Sequence, residues 1–306
     1  MSVITTGAHP KALWPGVKIW FGKTYAAHPK EWPQLVDTDT SSMAYEELVQ
    51  DIGFDYGQIK AQGLPLINSA DQQGYVTRLV NVTYALGYIV TMEELQDNLY
   101  EKVSRTRAAA LSFSMNQTKE NVVANLYNRA FNSSYTGADG VELCSLVHPR
   151  ITGGTYSNEM STPADLSEDA LEDAIIDIMG FSNDRGMPIS IMPRSLVVAR
   201  QQWFNAERIV KSVYQTGTAN NDINVIKATN AIPGGVVMNH YLSSANKWFV
   251  RTNVSGAQGG LTLLQRMEMA FDQDNEFSTK NACASAVERY SAGWGDARTL
   301  YGVDVT

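Results

Sequence analysis

Apolar and polar residues alternate along residues 76–90, and this is the clearest pattern in the chain. The even positions are nearly all apolar, while the odd positions are mostly small or polar, with Leu79 and Ile89 as exceptions. A period of two over this length predicts a strand with one buried face. Upstream, residues 52–56 begin a partner strand, and residues 63–74 supply turn-forming side chains. We therefore predict a long β-hairpin over 52–90, whose apolar face needs another surface to cover it.

The hydrophobic period changes at Thr91. The sequence Thr91-Met92-Glu93-Glu94 matches a helix-capping box, in which Thr91 accepts from the first turn and Glu94 reaches back. Apolar residues then follow helical spacing to about Phe131, and no proline or glycine occurs in between. At 1.5 Å per residue, this predicts a rod of roughly 60 Å. Such a helix is much longer than the usual length of about 11–12 residues.

The remainder of the chain mixes helices and strands, which indicates an α+β protein. A helix capped by Asp165 or Ser167 is predicted to run to about Phe181, and a further helix spans 201–214. Predicted strands cover the segments with strand-like patterns, at 189–199, 236–242, 247–251, 261–271 and 280–290. The turn 243–246 joins the strands on either side of it. The sequence has no internal repeat and no low-complexity tract.

Residues 1–50 have the composition of an irregular arm. Prolines recur along this segment, each removing a backbone donor and favouring extended neighbours. It also carries Trp14, Trp20 and Trp32, half of the six tryptophans in the chain. Such large aromatic side chains need a surface to cover them. Two interpretations remain open: the arm packs onto its own domain, or it lies across a neighbouring subunit, where aromatic residues act as anchors.

Composition excludes several classes of function. The net charge is −8 and the 24 basic residues are dispersed, whereas tight nucleic-acid binding needs clustered Lys and Arg. The two cysteines lack metal-ligand spacing, which fits a reducing compartment. The first residues do not form a signal peptide, and no apolar run is long enough to predict a membrane span. The low charged fraction of 18% leaves surface for protein contacts.

The sequence does not predict a catalytic, metal or cofactor site. Residues 16–24 end in Gly-Lys-Thr, but a phosphate-binding loop has four residues between its glycines and this segment has five. Cys144 precedes His148 by four residues, and a buried thiol is the better interpretation than a catalytic pair. The acidic residues at 272–276 lack the glycine and spacing of a calcium loop, so we interpret them as a solvated turn.

Three segments resemble the major capsid proteins of tailed bacteriophages, whose fold is shared with encapsulins. Residues 135–144 with 147–149 resemble the segment that follows the long spine helix of one branch of that family. Residues 218–224 resemble a loop of its axial domain, and residues 288–298 its C-terminal peripheral strand and tail. The order of the predicted elements also agrees with this resemblance: an aromatic arm, a long hairpin, a long helix and then a mixed α+β unit. The resemblance covers the chain from about residue 35 onward.

The resemblance implies a division of the chain. It assigns 1–50 to an N-terminal arm, 51–90 to an extended hairpin called the E-loop, and 161–262 to an axial domain. It assigns 91–160 with 263–306 to a peripheral domain that contains the spine helix over 91–131. The implied function is a non-enzymatic subunit of the icosahedral shell that encloses the phage genome. Two alternatives remain: an encapsulin-like shell, and an enzyme of an unrelated α+β class with a ligand-sized pocket.

The resemblance also implies partners. We expect the chain to bind copies of itself in hexamers and pentamers, with portal and scaffold or decoration proteins as further partners. It would enclose double-stranded DNA without sequence-specific binding, use no cofactor or membrane, and assemble in the bacterial cytoplasm into a virion. Expected subunit contacts are Trp14, Trp20, Trp32, Tyr56, Lys60, Leu64, Arg78, Asn220, Asn221 and Asp222. No covalent cross-link between subunits through Lys60 is expected.

Overall fold

A computed structural model describes the backbone of residues 14–63, 65–91, 93–94, 100–215, 222–276, 278–279 and 281–305. The side chains of 14–20 and 100–105 are not described. The helices are α1 Trp14–Ala27, α2 Tyr100–Asn128, α3 Glu168–Met179, α4 Trp203–Lys211 and α5 Val225–Ala228. The strands are β1 Asp37–Thr40, β2 Tyr45–Asp51, β3 Gln73–Val80, β4 Val82–Val90, β5 His148–Pro149, β6 Thr155–Tyr156, β7 Pro193–Ala199, β8 Val236–Asn239, β9 Lys247–Thr252, β10 Thr262–Asn275, β11 Ala282–Gly293 and β12 Leu300–Asp304.

The first sheet has the strand order β1-β10-β11-β4 and supports the long helix α2. Strand β1 runs parallel to β10, and the other neighbours are antiparallel. Along β11, Ala282, Ala284 and Ala286 are buried at every second position beneath Leu111 and Met115 of α2. Small residues in this period let the helix lie close to the sheet. The 29 residues of α2 correspond to a rod of about 44 Å at 1.5 Å per residue.

The second sheet has the order β12-β9-β7-β8 and forms a separate core with α3, α4 and α5. Helix α3 begins after Ser167, whose side chain accepts a hydrogen bond from the Ala170 N–H. This confirms one of the two predicted capping residues. Strand β12, which the sequence pattern did not predict, pairs with β9 and therefore belongs to this sheet. The implied domain boundary had placed it with the peripheral segment 263–306.

The predicted hairpin has a different partner from the one expected. Extended structure does cover residues 73–90, but it is interrupted at Asn81. Strand β3 pairs with β2, whereas β4 pairs with β11 of the first sheet. The partner strand is therefore 45–51, and residues 52–56 form no strand. The buried Asn81 amide donates to Ser41 Oγ at 2.7 Å and to Met43 O at 2.9 Å, which ties the interruption to the chain before β2.

The expectation of an irregular arm is corrected over residues 14–27, which form helix α1. Pro15 lies in its first turn, where a missing backbone N–H removes no intrahelical bond. Phe21 is buried and stacks on Phe271 at 4.6 Å between ring centroids. Further along, Leu35 and Val36 enter the core below the C-terminal half of α2. Part of the segment 1–50 therefore packs onto its own chain, while residues 1–13 lie outside the described residues.

Other element boundaries differ from the predictions in smaller ways. The long helix is described from residue 100 to 128, and part of its predicted start, at 92 and 95–99, lies outside the described residues. The strands β8 and β9 do not pair with each other across the turn 243–246, because β7 lies between them. The acidic residues at 272–276 continue the end of β10 rather than forming a turn. Among the described helices, none is long and apolar enough to cross a membrane.

Candidate subunit-contact surfaces

The segment between β2 and β3, residues 52–72, extends from the two-stranded β2–β3 sheet, and we call it the finger. Its described residues form no strand or helix. Its large apolar side chains are exposed: Ile59 is 100% exposed, and Phe54, Tyr56, Leu66 and Ile67 are between 60% and 72% exposed. Contiguous exposed apolar residues of this size mark protein-contact surfaces in soluble proteins. The sequence prediction included Tyr56 but did not single out the others.

The two arms of the finger enclose an open groove of about 560 Å³. Both of its walls belong to the finger, at residues 55–61 and 65–69. Asp55 and Ser69 join these arms, with the Asp55 N–H donating to Ser69 Oγ at 3.3 Å and the Ser69 hydroxyl donating to Asp55 Oδ2 at 3.2 Å. The groove is therefore a concave part of the exposed finger.

The base of the finger is held by Arg185, which lies in the loop that follows α3. Its Nε donates to Gly53 O at 3.0 Å, its Nη1 to Asp55 Oδ2 at 2.8 Å and its Nη2 to Ala70 O at 2.6 Å. One guanidinium thus binds both arms, using the fork of donors that lysine lacks. The sequence offered no signal for this contact, because Arg185 is more than a hundred residues away in the chain.

The neighbouring Asp184 fixes this loop to the body of the protein. Gln50 at the end of β2 donates to Asp184 Oδ2 at 2.9 Å, and the buried Arg298 donates to Asp184 Oδ1 at 2.8 Å. Burial tends to lower the pKa of Arg298, but the adjacent carboxylates of Asp296 and Asp184 raise it above its ordinary value. The charged Arg298 guanidinium therefore holds Asp184, which is the neighbour of Arg185 in the chain.

The predicted contact residue Arg78 lies on β3, near the end of the strand that is remote from the finger. It stands opposite Glu47 in the strand register and binds Glu47 Oε1 through Nε at 2.9 Å and Nη2 at 2.6 Å. Its guanidinium also lies 4.4 Å from the centroid of the Tyr45 ring. These contacts stabilise the β2–β3 pair, and the side chain stays largely solvent-exposed. It is therefore available at the surface of the β2–β3 pair.

A second exposed apolar surface occurs near the predicted axial loop. Tyr214 and Ile223 form a β-bridge, and the Gln215 N–H donates to Asp222 O at 2.8 Å. These contacts close a loop by holding residues 214–215 against residues 222–223. The exposed apolar residues around this closure, which we call the 213–225 surface, are Val213, Tyr214, Ile223 and Val225. The sequence predicted Asp222, which is exposed at this surface, but did not predict its apolar neighbours.

The remaining predicted contact residues have different environments. Lys60 is exposed within the finger. Trp32 is half-buried against the core of its own chain, with the Lys119 ammonium 4.8 Å from its ring centroid. Trp14 and Trp20 lie in α1, but their side chains are outside the described residues. The predicted residues that fall wholly outside the described residues are Leu64, Asn220 and Asn221.

The motifs considered for catalysis have structural roles. Residues 16–24 lie within α1 and do not form a phosphate-binding loop. His148 is buried and bonded on both ring nitrogens, to Asp139 Oδ2 at 2.6 Å and Asn158 Oδ1 at 3.0 Å. Burial raises the pKa of the Cys144 thiol, which disfavours the reactive thiolate. In the described part of the chain, no cluster of His, Cys, Asp or Glu could hold a metal ion.

Comparisons with known proteins agree with a role in assembly. The profile of a family described as phage capsid protein matches residues 76–303. Solved structures with the same fold include one from Mycobacterium phage Patience, at 11% identity, with 99% of this chain and 89% of that chain covered and a TM-score of 0.54. The capsid structure of the cyanophage P-SCSP1u has 11% identity, with 92% and 90% covered and a TM-score of 0.54.

A third solved structure, a virus-like particle from Pyrococcus furiosus, has 11% identity, with 95% of this chain and 99% of that chain covered and a TM-score of 0.50. No curated protein matches the sequence. The family profile covers about three quarters of the chain, and the α+β class agrees with the fold of the similar solved structures. The chain belongs to the phage capsid protein family, and it is a structural, non-enzymatic shell subunit of a phage head.

Proposed function

We propose that the finger supplies the principal contact between neighbouring subunits of the shell. The observation that carries this proposal is its row of exposed apolar side chains, led by Ile59. Burying one such side chain against a neighbour contributes about 1.5–3 kcal/mol. Because Arg185 already holds both arms at the base, less conformational entropy is lost on docking. Tyr56, Lys60 and Leu64 are the contact residues proposed within the finger, and Arg78 on β3 is a further proposed contact.

The N-terminal arm and the axial segment are proposed as secondary contacts. Since Phe21, Leu35 and Val36 are buried in their own chain, we assign the neighbour contact of the 1–40 arm mainly to the residues before Phe21, including Trp14 and Trp20. The segment 215–235, with Asn220, Asn221 and Asp222, would line the contacts around the symmetry axes. The exposed apolar residues of the 213–225 surface support this assignment.

Assembly through such contacts has a geometric basis. Head-to-tail contacts that close on themselves produce rings, so we propose that hexamers and pentamers of this subunit tile a closed shell. Each contact can be weak, because every subunit makes several at once and all must be lost together. Membership of the phage capsid family supports this proposal.

The contents and partners of the shell follow from the same proposal. The shell would enclose double-stranded DNA without recognising its sequence. The net charge of −8 with dispersed basic residues is compatible with an inner surface that does not bind DNA tightly. Portal and scaffold or decoration proteins are the further partners proposed. Assembly would take place in the cytoplasm of the bacterial host.

Electron microscopy of the purified protein tests the role of the finger. Deletion of residues 60–72, or the double substitution Ile59→Ser with Ile67→Ser, should abolish or strongly reduce closed particles. Ile176→Ser is the matched control, because Ile176 is 62% exposed on α3, outside the finger. Particles that form from the finger variants as efficiently as from the unmodified chain would refute the proposal.

A further inference from the structure

Three side chains with complementary chemistry meet beneath the long helix. Lys119 belongs to α2, Gln265 to β10 and Glu288 to the adjacent strand β11. Lys119 is 4% exposed and Glu288 is 2% exposed, so the amine and the carboxylate lie inside the protein. Charged side chains are rarely buried to this extent unless they are paired. The shell function described above does not use this cluster.

The geometry places an amine, a carboxamide and a carboxylate in mutual contact. Lys119 Nζ donates to Gln265 Oε1 at 2.6 Å and to Glu288 Oε1 at 2.6 Å. The Gln265 amide nitrogen, Nε2, donates to the same Glu288 Oε1 at 3.0 Å. The amine therefore touches the carbonyl group that it could attack. The carboxylate touches both the attacking nitrogen and the nitrogen that would leave.

The surroundings of the cluster are aromatic. The Lys119 ammonium lies 4.8 Å from the centroid of the Trp32 ring and 4.9 Å from that of Tyr290. Desolvation lowers the pKa of Lys119 against the opposing effect of Glu288, so the neutral amine becomes more accessible than it is in water. The same exclusion of water protects the carboxamide from hydrolysis.

We propose that Lys119 and Gln265 form an intrachain isopeptide bond, with Glu288 as the proton carrier. The bond that forms joins Lys119 Nζ to the side-chain carbonyl carbon of Gln265, and the bond that breaks joins this carbon to Nε2. The ammonium of Lys119 and the carboxamide of Gln265 are thereby converted into a secondary amide and an ammonium ion. No oxidant, reductant or further reactant is needed.

The position of Glu288 provides the route for the protons. Its Oε1 first takes a proton from the Lys119 ammonium, which leaves a neutral nucleophile. After attack, the same oxygen gives that proton to Gln265 Nε2 and takes a second one from Nζ, so that ammonia departs and the carbonyl reforms. The second proton leaves with the ammonia, and Glu288 returns to its ionised form. The reaction occurs once per chain and within one chain.

Such a bond would join α2 to the first sheet covalently. It differs from a cross-link between subunits, because the chain would still migrate as a monomer on a denaturing gel. The mass of the intact protein would be lower than the sequence mass by one ammonia molecule. A succinimide formed at an asparagine produces the same loss, so the position of the link must be mapped.

Mass spectrometry of the full-length protein from purified particles tests the proposal. Trypsin should release a branched peptide in which residues 108–129 are joined to residues 252–266, with cleavage after Lys119 blocked. An intact mass equal to the sequence mass, with ordinary linear peptides at both positions, would overturn the inference. So would an ammonia loss that maps to other residues. Either result would leave the shell function untouched.

Two substitutions and one control separate the roles of the residues. Lys119→Arg and Glu288→Gln should each restore the full sequence mass, the first by removing the nucleophile and the second by removing the proton carrier. Lys247→Arg is the matched control, since Lys247 Nζ pairs with Asp304 at 2.7 Å beside the Phe131 ring and should leave the ammonia loss unchanged. If a variant does not fold, the mass of the unmodified chain still decides the question.

Discussion

Asn158 is predicted to be the most sensitive uncharged polar residue of the core. It is 0% exposed and lies in the loop after β6. Its Nδ2 donates to three carbonyl oxygens, Leu143 O at 2.7 Å, Ala297 O at 2.8 Å and Leu300 O at 2.9 Å. Its Oδ1 accepts from the Ser145 N–H at 2.9 Å and lies 3.0 Å from His148 Nε2. One amide therefore joins the loop after α2 to the chain around the start of β12.

The substitution Asn158→Ala removes all of these contacts at once. The Ser145 N–H and the His148 ring nitrogen would lose a buried partner, and each unsatisfied group costs about 1–3 kcal/mol. We therefore expect the free energy of unfolding to fall by about 2–6 kcal/mol, before any cost of the cavity is counted. Since the total stability of a domain is about 5–15 kcal/mol, this loss is a large fraction of it.

Urea-induced unfolding of the subunit, followed by tryptophan fluorescence, measures this change. Asn132→Ala is the control, because Asn132 Oδ1 accepts only an exposed local bond, from the Ser134 N–H at 2.9 Å. Surface substitutions of this kind usually change stability by about 0.5 kcal/mol or less. If Asn158→Ala destabilised the protein no more than Asn132→Ala does, the reasoning from buried hydrogen bonds would be refuted.

Two further predictions concern the finger and acid stability. Arg185→Ala should release the base of the finger, so limited proteolysis should cleave within residues 52–72 several times faster, whereas unchanged cleavage would contradict the assigned role. Burial raises the pKa of Asp37, but the Arg251 guanidinium at 2.8 Å outweighs this and leaves the pKa below its ordinary value. The resulting stability is present above the unfolded pKa of about 3.9 and is lost as the pH falls through the folded pKa. Asp37→Asn should therefore lower the free energy of unfolding by about 2 kcal/mol at pH 7. In acid denaturation measurements, the difference in stability between this variant and the unmodified chain should disappear at lower pH.

The contact residues were only partly accessible from the sequence. Tyr56 and Lys60 were predicted as contacts because they lie in the predicted hairpin, which the resemblance to phage capsid proteins assigns to the E-loop. Ile59 and Ile67 were not singled out, since an isolated apolar residue in a segment without a period looks like an ordinary loop residue. Their exposure becomes evident only when the position of the rest of the chain is known.

Local patterns did determine the main elements. The period of two over 76–90 predicted extended structure, and the uninterrupted helical spacing after Thr91 predicted the long helix that is described over 100–128. Ser167 marked the start of α3 by its capping chemistry. These signals depend on neighbours within a few residues, because backbone hydrogen bonds and side-chain facing repeat over one or two turns of structure.

Tertiary structure alone decided which segments meet. Apolar and polar residues alternate in the same way before and after Asn81, yet β3 pairs with residues 45–51 and β4 pairs with β11. Asn81, between the two strands, is bonded to the chain near Ser41. The contact of Arg185 with the finger and that of Lys119 with Glu288 also join segments that are distant in the sequence. The free energy of the complete fold, summed over contacts between distant segments, determines the partner of each strand and side chain. A local sequence pattern does not specify that partner.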